Sequence, residues 1–220
     1  RAGNPPYLRA LLLNNRGVME YARGDEAAAD PLYREALALR EAMYGKRDPR
    51  VADVLDNLAI NLERWAREVK GDEATQKRAE ARALGERALA IREAVLGPDH
   101  PAVSHSLQNL VGLVDREGKR EQARAMLRRA LAIKEHAFGP DHLELVPTLN
   151  ALADFDEDEG HLEAALAGYQ RSLALQTRAT GESPQLAFSL LAVAEVQEAL
   201  DRPAEAAAAF RHLAAVRTKP

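Results

Sequence analysis

The amino-acid sequence predicts an all-α fold of stacked two-helix hairpins, and three observations carry that prediction. Apolar residues recur at helical spacing, one phrase returns along the chain at a near-constant offset, and a glycine breaks the apolar run in the middle of several copies. The phrase Ala88-Leu89-Ala90-Ile91-Arg92-Glu93 returns 42 residues later as Ala130-Leu131-Ala132-Ile133-Lys134-Glu135, and Gly97-Pro98-Asp99-His100 returns at the same offset as Gly139-Pro140-Asp141-His142. An earlier copy is Ala36-Leu37-Ala38-Leu39-Arg40-Glu41 and a later one Ser172-Leu173-Ala174-Leu175. A period of this length is the mark of a repeat architecture, in which no unit buries its apolar face alone.

The leading leucines of the copies are Leu13, Leu55, Leu107, Leu149 and Leu190, separated by 42, 52, 42 and 41 residues. The reading is therefore five units, approximately 8–46, 47–98, 99–140, 141–181 and 182–220, within a single domain spanning 1–220. In the third unit Leu107, Leu110, Leu113 and Val114 form one helical stripe, Gly118 breaks it, and Ala123, Leu127, Ala130, Leu131 and Ile133 form a second. Gly24 and Gly160 are the corresponding breaks in the first and fourth units. Between units, Gly97 suits a left-handed helix stop, and Asp99 is expected to cap the next helix with Pro101 in its first turn. Asp48-Pro49 repeats that logic. In the long second unit, Leu55, Leu58, Leu62, Trp65 and Val69 make one continuous stripe, with the turn expected at Gly71-Asp72. Its ten extra residues, shared between two helices, would lengthen each by about 7 Å at about 1.5 Å per residue. Such an extension reads either as a tolerated lengthening or as a knob that contacts a partner.

Composition narrows the functional classes. Leu, Ala, Ile and Val must build the core, because aromatic residues are only 5% of the chain. A net charge of -4 disfavours general binding to nucleic acid or to anionic membranes. The absence of cysteine removes disulfides, thiolate metal sites and Cys nucleophiles. No apolar run approaches the roughly 20 residues that span a bilayer, and no signal peptide is readable; a cytoplasmic location is expected, with a secreted or periplasmic one left open. The first residue is Arg1 rather than Met, which leaves room for a fragment or a processed form, and high Ala and Arg use fits a GC-rich bacterial genome.

These residues resemble the tetratricopeptide repeat, specifically the long variety of kinesin light chains and many bacterial relatives. The resemblance runs from about Leu8 to Val216. It rests on a small residue in the first helix (Gly17, Ala59, Ala153, Ala194), the turn glycines, and the second-helix alanine (Ala29, Ala81, Ala123, Ala165, Ala206). The second-helix aromatic is kept as Tyr33, Tyr169 and Phe210, and Leu96-Gly97-Pro98-Asp99-His100-Pro101 is close to the signature of the variety. Three positions depart: Val111 fills the small site, Gly85 the aromatic site, and Asp201-Arg202-Pro203 replaces the turn glycine of the fifth unit. The resemblance implies a right-handed α-solenoid of five helix-turn-helix repeats whose first helices line a concave groove.

It further implies that an extended peptide lies in that groove, held by polar side chains on successive first helices. The family's backbone-clamping asparagine falls at Asn15, Asn57 and Asn109, with Ala151 and Ala192 at the same place in the later units. Asn14 and Asn150 stand one residue earlier, also at a groove position. An amide suits this task because it donates and accepts at once. Solvation, or bridging between helices, is the alternative use of these residues. Further groove positions are Val18, Tyr21 and Ile60 early, and Asp154, Glu157, Asp158, Glu195 and Glu198 late. Residues 1–110 balance 17 basic with 17 acidic side chains, whereas residues 111–220 hold 13 and 17, densest at Asp154-Phe155-Asp156-Glu157-Asp158-Glu159. That run is either a solvated face or an acidic groove end for a ligand carrying Lys or Arg.

No catalytic constellation, metal site or cofactor is expected. His100 and His142 occupy equivalent linker positions and suit local capping, and the glycines are repeat punctuation. Two functions follow: an adaptor that binds a protein or peptide in its groove, or a regulatory segment that controls an attached effector or self-associates. For the second, Ala206, Ala209, Phe210, Leu213 and Val216 of the last helix are expected to present an uncapped apolar face, open to a second copy.

Overall fold

The computed structural model describes residues 5–217, so Arg1 and the last three residues of the fifth expected unit lie outside it. Among the described residues there are ten α-helices and no strand. They are α1 (Pro6–Arg23), α2 (Glu26–Tyr44), α3 (Pro49–Glu68), α4 (Gly71–Leu96), α5 (Pro101–Arg116), α6 (Arg120–Phe138), α7 (Val146–Asp158), α8 (Leu162–Thr180), α9 (Ala187–Ala199) and α10 (Pro203–Arg217). Short 3-10 turns, Leu143–Leu145 and Pro184–Leu186, lead into α7 and α9. The chain divides into two compact units, Arg1–Ala123 and Arg124–Pro220.

In the first unit α1 pairs with α2, α3 pairs with α4, and α2 and α4 pack against α3 and α5. Val51, Ala52 and Leu55 of α3 meet Ala88 and Ile91 of α4, with Leu37 of α2 against them. In the second unit α7 pairs with α8 and α9 with α10, and α8 packs on α9. Ala153, Leu166, Tyr169, Val193 and Val196 form one core there, and Leu186, Leu190, Leu213 and Val216 another. Burial of these alkyl groups, about 25 cal/mol per Å² of apolar surface removed from water, holds each stack together.

Four of the turns inside the hairpins share one geometry. Gly24, Gly118 and Gly160 have φ of 81°, 76° and 77°. In the first, the Gly24 amide donates to the Tyr21 carbonyl and the Asp25 amide to that of Glu20, both at 3.0 Å, which satisfies carbonyls that the helix end leaves open. Asp201 does the same work at φ 58°, its amide donating to Glu198 and the Arg202 amide to Gln197. Asp tolerates this left-handed conformation better than most residues, so the missing glycine leaves the turn intact.

Three expectations are corrected. The cap of α5 is His100 rather than Asp99: the Ala102 amide donates to His100 Nδ1 at 3.1 Å, and Pro101 follows in the first turn. His142 repeats this with the Glu144 amide at 3.2 Å. The hairpin extension falls mostly on the second helix, since α4 has 26 residues where α2, α6 and α8 have 19. The turn is Val69-Lys70, and Gly71 already opens α4. Finally, the apolar side of α10 is covered, with Ala206, Leu213 and Val216 buried and Phe210 and Ala209 packed against residues of α8 and α9. Its exposed side is chiefly alanine, including Ala204, Ala207, Ala208 and Ala214, with Glu205 and Arg211.

Candidate functional site

In the first unit the site is built on α1, α3 and α5. Asn57 Nδ2 donates to Asn14 Oδ1 at 3.0 Å, a direct bridge between α3 and α1. Both side chains are half-buried, Asn109 on α5 is half-buried as well, and Asn15 is exposed. A third amide, Asn61, behaves differently: it is fully buried and donates to the Glu26 carbonyl at 3.1 Å, which fixes α3 to α2. The asparagine column is thus partly engaged between helices and partly open, while Asn61 is wholly structural.

Apolar and charged groups frame the amides. Ile60 is half-buried one turn beyond Asn57, and Val18 is exposed at the matching place on α1. Arg116 Nε meets Glu63 Oε1 at 3.0 Å, an ion pair between α5 and α3. Tyr21 is covered by the Arg64 guanidinium 3.5 Å from its ring centroid, while Arg64 also pairs with buried Glu26. Behind α1, the Tyr33 ring lies against Gly17, and burial pushes its phenol up to about 12.

Below this layer is a buried ionic cluster. Arg92 on α4 binds Asp56 and Ser106, and its Nη2 donates to Asp53 Oδ1 at 2.9 Å. Burial pushes the Asp56 carboxyl up, against the pull of Arg92 and Ser106. Sequence reasoning passed over this cluster, although the signal was present: Arg92 sits inside the recurring apolar phrase, as do Arg40 and Lys134. Lys134 is likewise buried, donates to the Glu144 carbonyl at 3.0 Å, and has its pKa lowered by desolvation.

In the second unit the acidic run is largely committed to the fold. Arg124 Nη2 binds Asp156 Oδ1 at 2.6 Å and Glu159 Oε2 at 2.9 Å. Burial raises the Tyr169 pKa, and so does the hydrogen bond that its hydroxyl shares between the Asp154 and Glu157 carboxylates. Asp154, Asp158 and Glu195 are exposed, whereas Glu157 is half-buried. Asn150 is half-buried, with its Oδ1 enclosed and lacking a hydrogen bond among the described residues.

A cleft of the first unit lies elsewhere. It encloses about 580 Å³ beside the α2–α3 linker, lined by Glu41, Lys46, Arg47, Arg87, Ile91 and Val95. Arg87 Nη2 is already held by Glu41 Oε1 at 2.5 Å and the Lys46 carbonyl at 3.0 Å. Arg171 repeats that arrangement with Glu135 at 2.6 Å and the Pro140 carbonyl at 3.0 Å, so the cleft lies at a structural joint of the repeat.

The comparison with known families agrees with this anatomy. A tetratricopeptide repeat family model matches residues 72–136 and 144–219, and a second matches residues 9–50. The chain belongs to the tetratricopeptide repeat family. Solved TPR structures share its fold. A kinesin light chain-like protein of Podosopora anserina with nearly identical TPR-like repeats superposes with a TM-score of 0.74 at 19% identity, covering 98% of this chain and 97% of that one. BtubC (BKLC) from P. vanneervenii gives a TM-score of 0.79 at 21% identity, over 98% of this chain and 84% of that one. Aspartyl phosphate phosphatase F from Bacillus subtilis gives 0.65 at 13% identity, over 99% of this chain and 62% of that one. No curated protein sequence matches this TPR chain. None of its described helices is long and apolar enough to cross a membrane.

Proposed function

We propose that this TPR chain is a protein-interaction scaffold that binds an extended peptide segment of a partner across its first helices. The observation that carries this reading is the pair Asn14–Asn57, two amides joined at 3.0 Å between α1 and α3, with Asn109 at the matching position of α5. Each amide has further hydrogen-bonding capacity, and amides match a peptide backbone whatever its side chains. Asn15 stands exposed beside them. A hydrogen bond of this kind contributes only about 1 kcal/mol net, so binding draws on several together with burial at Val18 and Ile60. In the second unit the exposed carboxylates of Asp154, Asp158 and Glu195, with Glu157 and the Asn150 amide beside them, favour ligand segments carrying Lys or Arg. The chain works by binding, with no chemistry of its own.

The test is capture of a partner from native lysate by the intact chain and by an Asn57→Ala/Asn109→Ala double variant of equal helicity. Loss with the variant alone supports the groove, and equal capture contradicts it. Salt dependence then separates the two kinds of contact: the acidic contacts weaken as ions screen them, and the amide contacts do not.

A second reading, self-association, draws on α1. Leu12 and Met19 are 45% and 55% exposed, whereas Val54 and Asn61 at the matching positions of α3 are fully buried. Light scattering of the wild type and of Met19→Glu decides it: a monomeric wild type rejects this reading.

A further inference from the structure

The cleft beside the α2–α3 linker belongs to the second helices, away from the amide column, and its lining has two parts. The floor is one face of the C-terminal end of α4, formed by Ala90, Ile91, Ala94 and Val95. Ala90 and Ala94 are exposed and Val95 is 52% exposed, with Ile91 buried among them. The rim is cationic, with Lys46, Arg47 and Arg87. Arg87 is already taken by Glu41, and its bond to the Lys46 carbonyl also fixes the linker backbone. Lys46 and Arg47 are exposed, and neither side chain has an ion-pair partner among the described residues. The neighbouring acid, Asp48, is held by Arg50 at 2.8 Å. The volume of about 580 Å³ lies within the range of roughly 300–1,000 Å³ typical of small-molecule sites, which pair an apolar lining with a few polar groups.

The equivalent joint of the second unit shows what is absent here. Tyr44-Gly45-Lys46-Arg47-Asp48 corresponds to Phe138-Gly139-Pro140-Asp141-His142. The structure fixes that register: the Lys46 and Pro140 carbonyls each accept from an arginine of the next second helix, and Asp48 and His142 each cap the turn that follows. In the second unit Asp141 meets Arg178, in the last turn of α8, at 2.8 Å. The place of Asp141 is taken in the first unit by Arg47, and that of Arg178 by Ala94. The next linker repeats the acidic arrangement, with Glu182 paired to His212 of α10. Both second-unit linkers thus offer a carboxylate to the following second helix, whereas the α2–α3 linker sets two unpaired cations beside an apolar strip.

We propose that this cleft binds a small amphiphilic carboxylate, an aliphatic chain ending in one carboxylate. The carboxylate oxygens accept from the Lys46 ammonium and the Arg47 guanidinium, replacing the acid that the second-unit linkers carry, and such charge-assisted bonds are the stronger kind. The chain lies along Ala90, Ala94 and Val95, which removes apolar surface of both from water. The site is independent of the peptide-binding reading.

A titration of the intact chain with sodium octanoate, kept below its aggregation threshold and followed by proton–nitrogen correlation NMR, tests this. The expected result is saturable shifts confined to the amides around Lys46, Arg47, Ala94 and Val95. Octylamine, with a chain and the opposite charge, and inorganic phosphate, with charge and no chain, should each bind about tenfold or more weakly than octanoate. Arg47→Asp/Ala94→Arg transplants the Asp141–Arg178 pair and should weaken octanoate by roughly tenfold or more, the scale of a lost hydrogen bond to a charged group. Lys46→Ala/Arg47→Ala alters only exposed side chains and should do the same at unchanged helicity, which keeps the test valid if the transplanted pair disturbs the fold. Equal binding of octylamine reduces the cleft to an apolar surface, and equal binding of phosphate to a cationic one; either overturns the proposal. So does octanoate that shifts exposed residues such as Leu12 and Met19 without saturating, which marks an adventitious additive only. Octanoate binding that neither variant alters also overturns it, and cleft shifts on raising the protein concentration alone assign the cleft to a second copy instead.

Discussion

The joints between successive hairpins occupy one repeat position and are built in two ways. In the first unit the position holds Arg92, buried and bound to Asp53, Asp56 and Ser106. In the second unit it holds Lys134, buried and donating to the Glu144 carbonyl, and then Gln176, whose Oε1 accepts from the Ser189 hydroxyl at 3.1 Å, with Ser189 also 3.4 Å from Ser172. The Arg92 joint is ionic and lies below the asparagine-bearing face of α3; the Gln176 joint is neutral. A buried ion pair gives little net stability over an apolar packing, but it is costly to break from one side. The difference teaches where rigidity is concentrated: under the amides that would hold a peptide, the backbone of α3 is fixed by charges that have nowhere else to go.

Several substitutions break or sharpen that contrast. Arg92→Ala strands the Asp56 carboxylate in the interior and should cost about 3–5 kcal/mol, whereas Gln176→Ala should cost about 1 kcal/mol. Urea unfolding of the two variants checks the ratio, and equal losses would erase the distinction between the joints. Leu110 is 1% exposed and fills the space that an aromatic at position 85 would take, so Leu110→Ala should cost about 2–5 kcal/mol. Leu152, only partly buried at the matching place in the second unit, should fall at or below the lower end of that range in the same assay. Gly17→Ala drives a methyl into the Tyr33 ring and should cost about 1–3 kcal/mol by thermal denaturation.

The smallest expected effect is a pH dependence at the α3 cap. Asp48 accepts from the Arg50 amide at 2.9 Å and from its guanidinium, which holds the carboxyl at about 2 against an ordinary value of 3.8. A lowered folded value means that the native state binds its proton less readily than the unfolded chain. The stabilisation is therefore fully present above 3.8 and is lost as pH falls through about 2. Asp48→Asn should flatten the acid limb of the stability curve by a fraction of a kcal/mol, because the pair is partly solvated.

Much of the fold was legible in the sequence because repetition multiplies weak signals. The 42-residue offset, the turn glycines Gly24, Gly118 and Gly160 and the Asp48-Pro49 start all appear in the structure as expected. The α5 cap was misjudged because Asp99 is the better capping type, whereas the helix begins one residue later and the His100 ring nitrogen accepts from the Ala102 amide. The acidic run was only partly legible for a different reason. Charge density in a sequence does not reveal partners, and the partner of Asp156 and Glu159 is Arg124, more than 30 residues away. The Gly85 departure became intelligible only when Leu110 was seen to approach it from the neighbouring helix.

The most direct test is hydrogen–deuterium exchange of the intact chain with and without the captured partner segment. The expected result is protection confined to the first helices, centred on Asn57 of α3 and Asn109 of α5, with α2 and α4 unchanged. Protection at the α3–α4 tip around Trp65 and Lys77, or along α4, with no change near Asn57 and Asn109 would contradict it and place the partner on the extended hairpin instead.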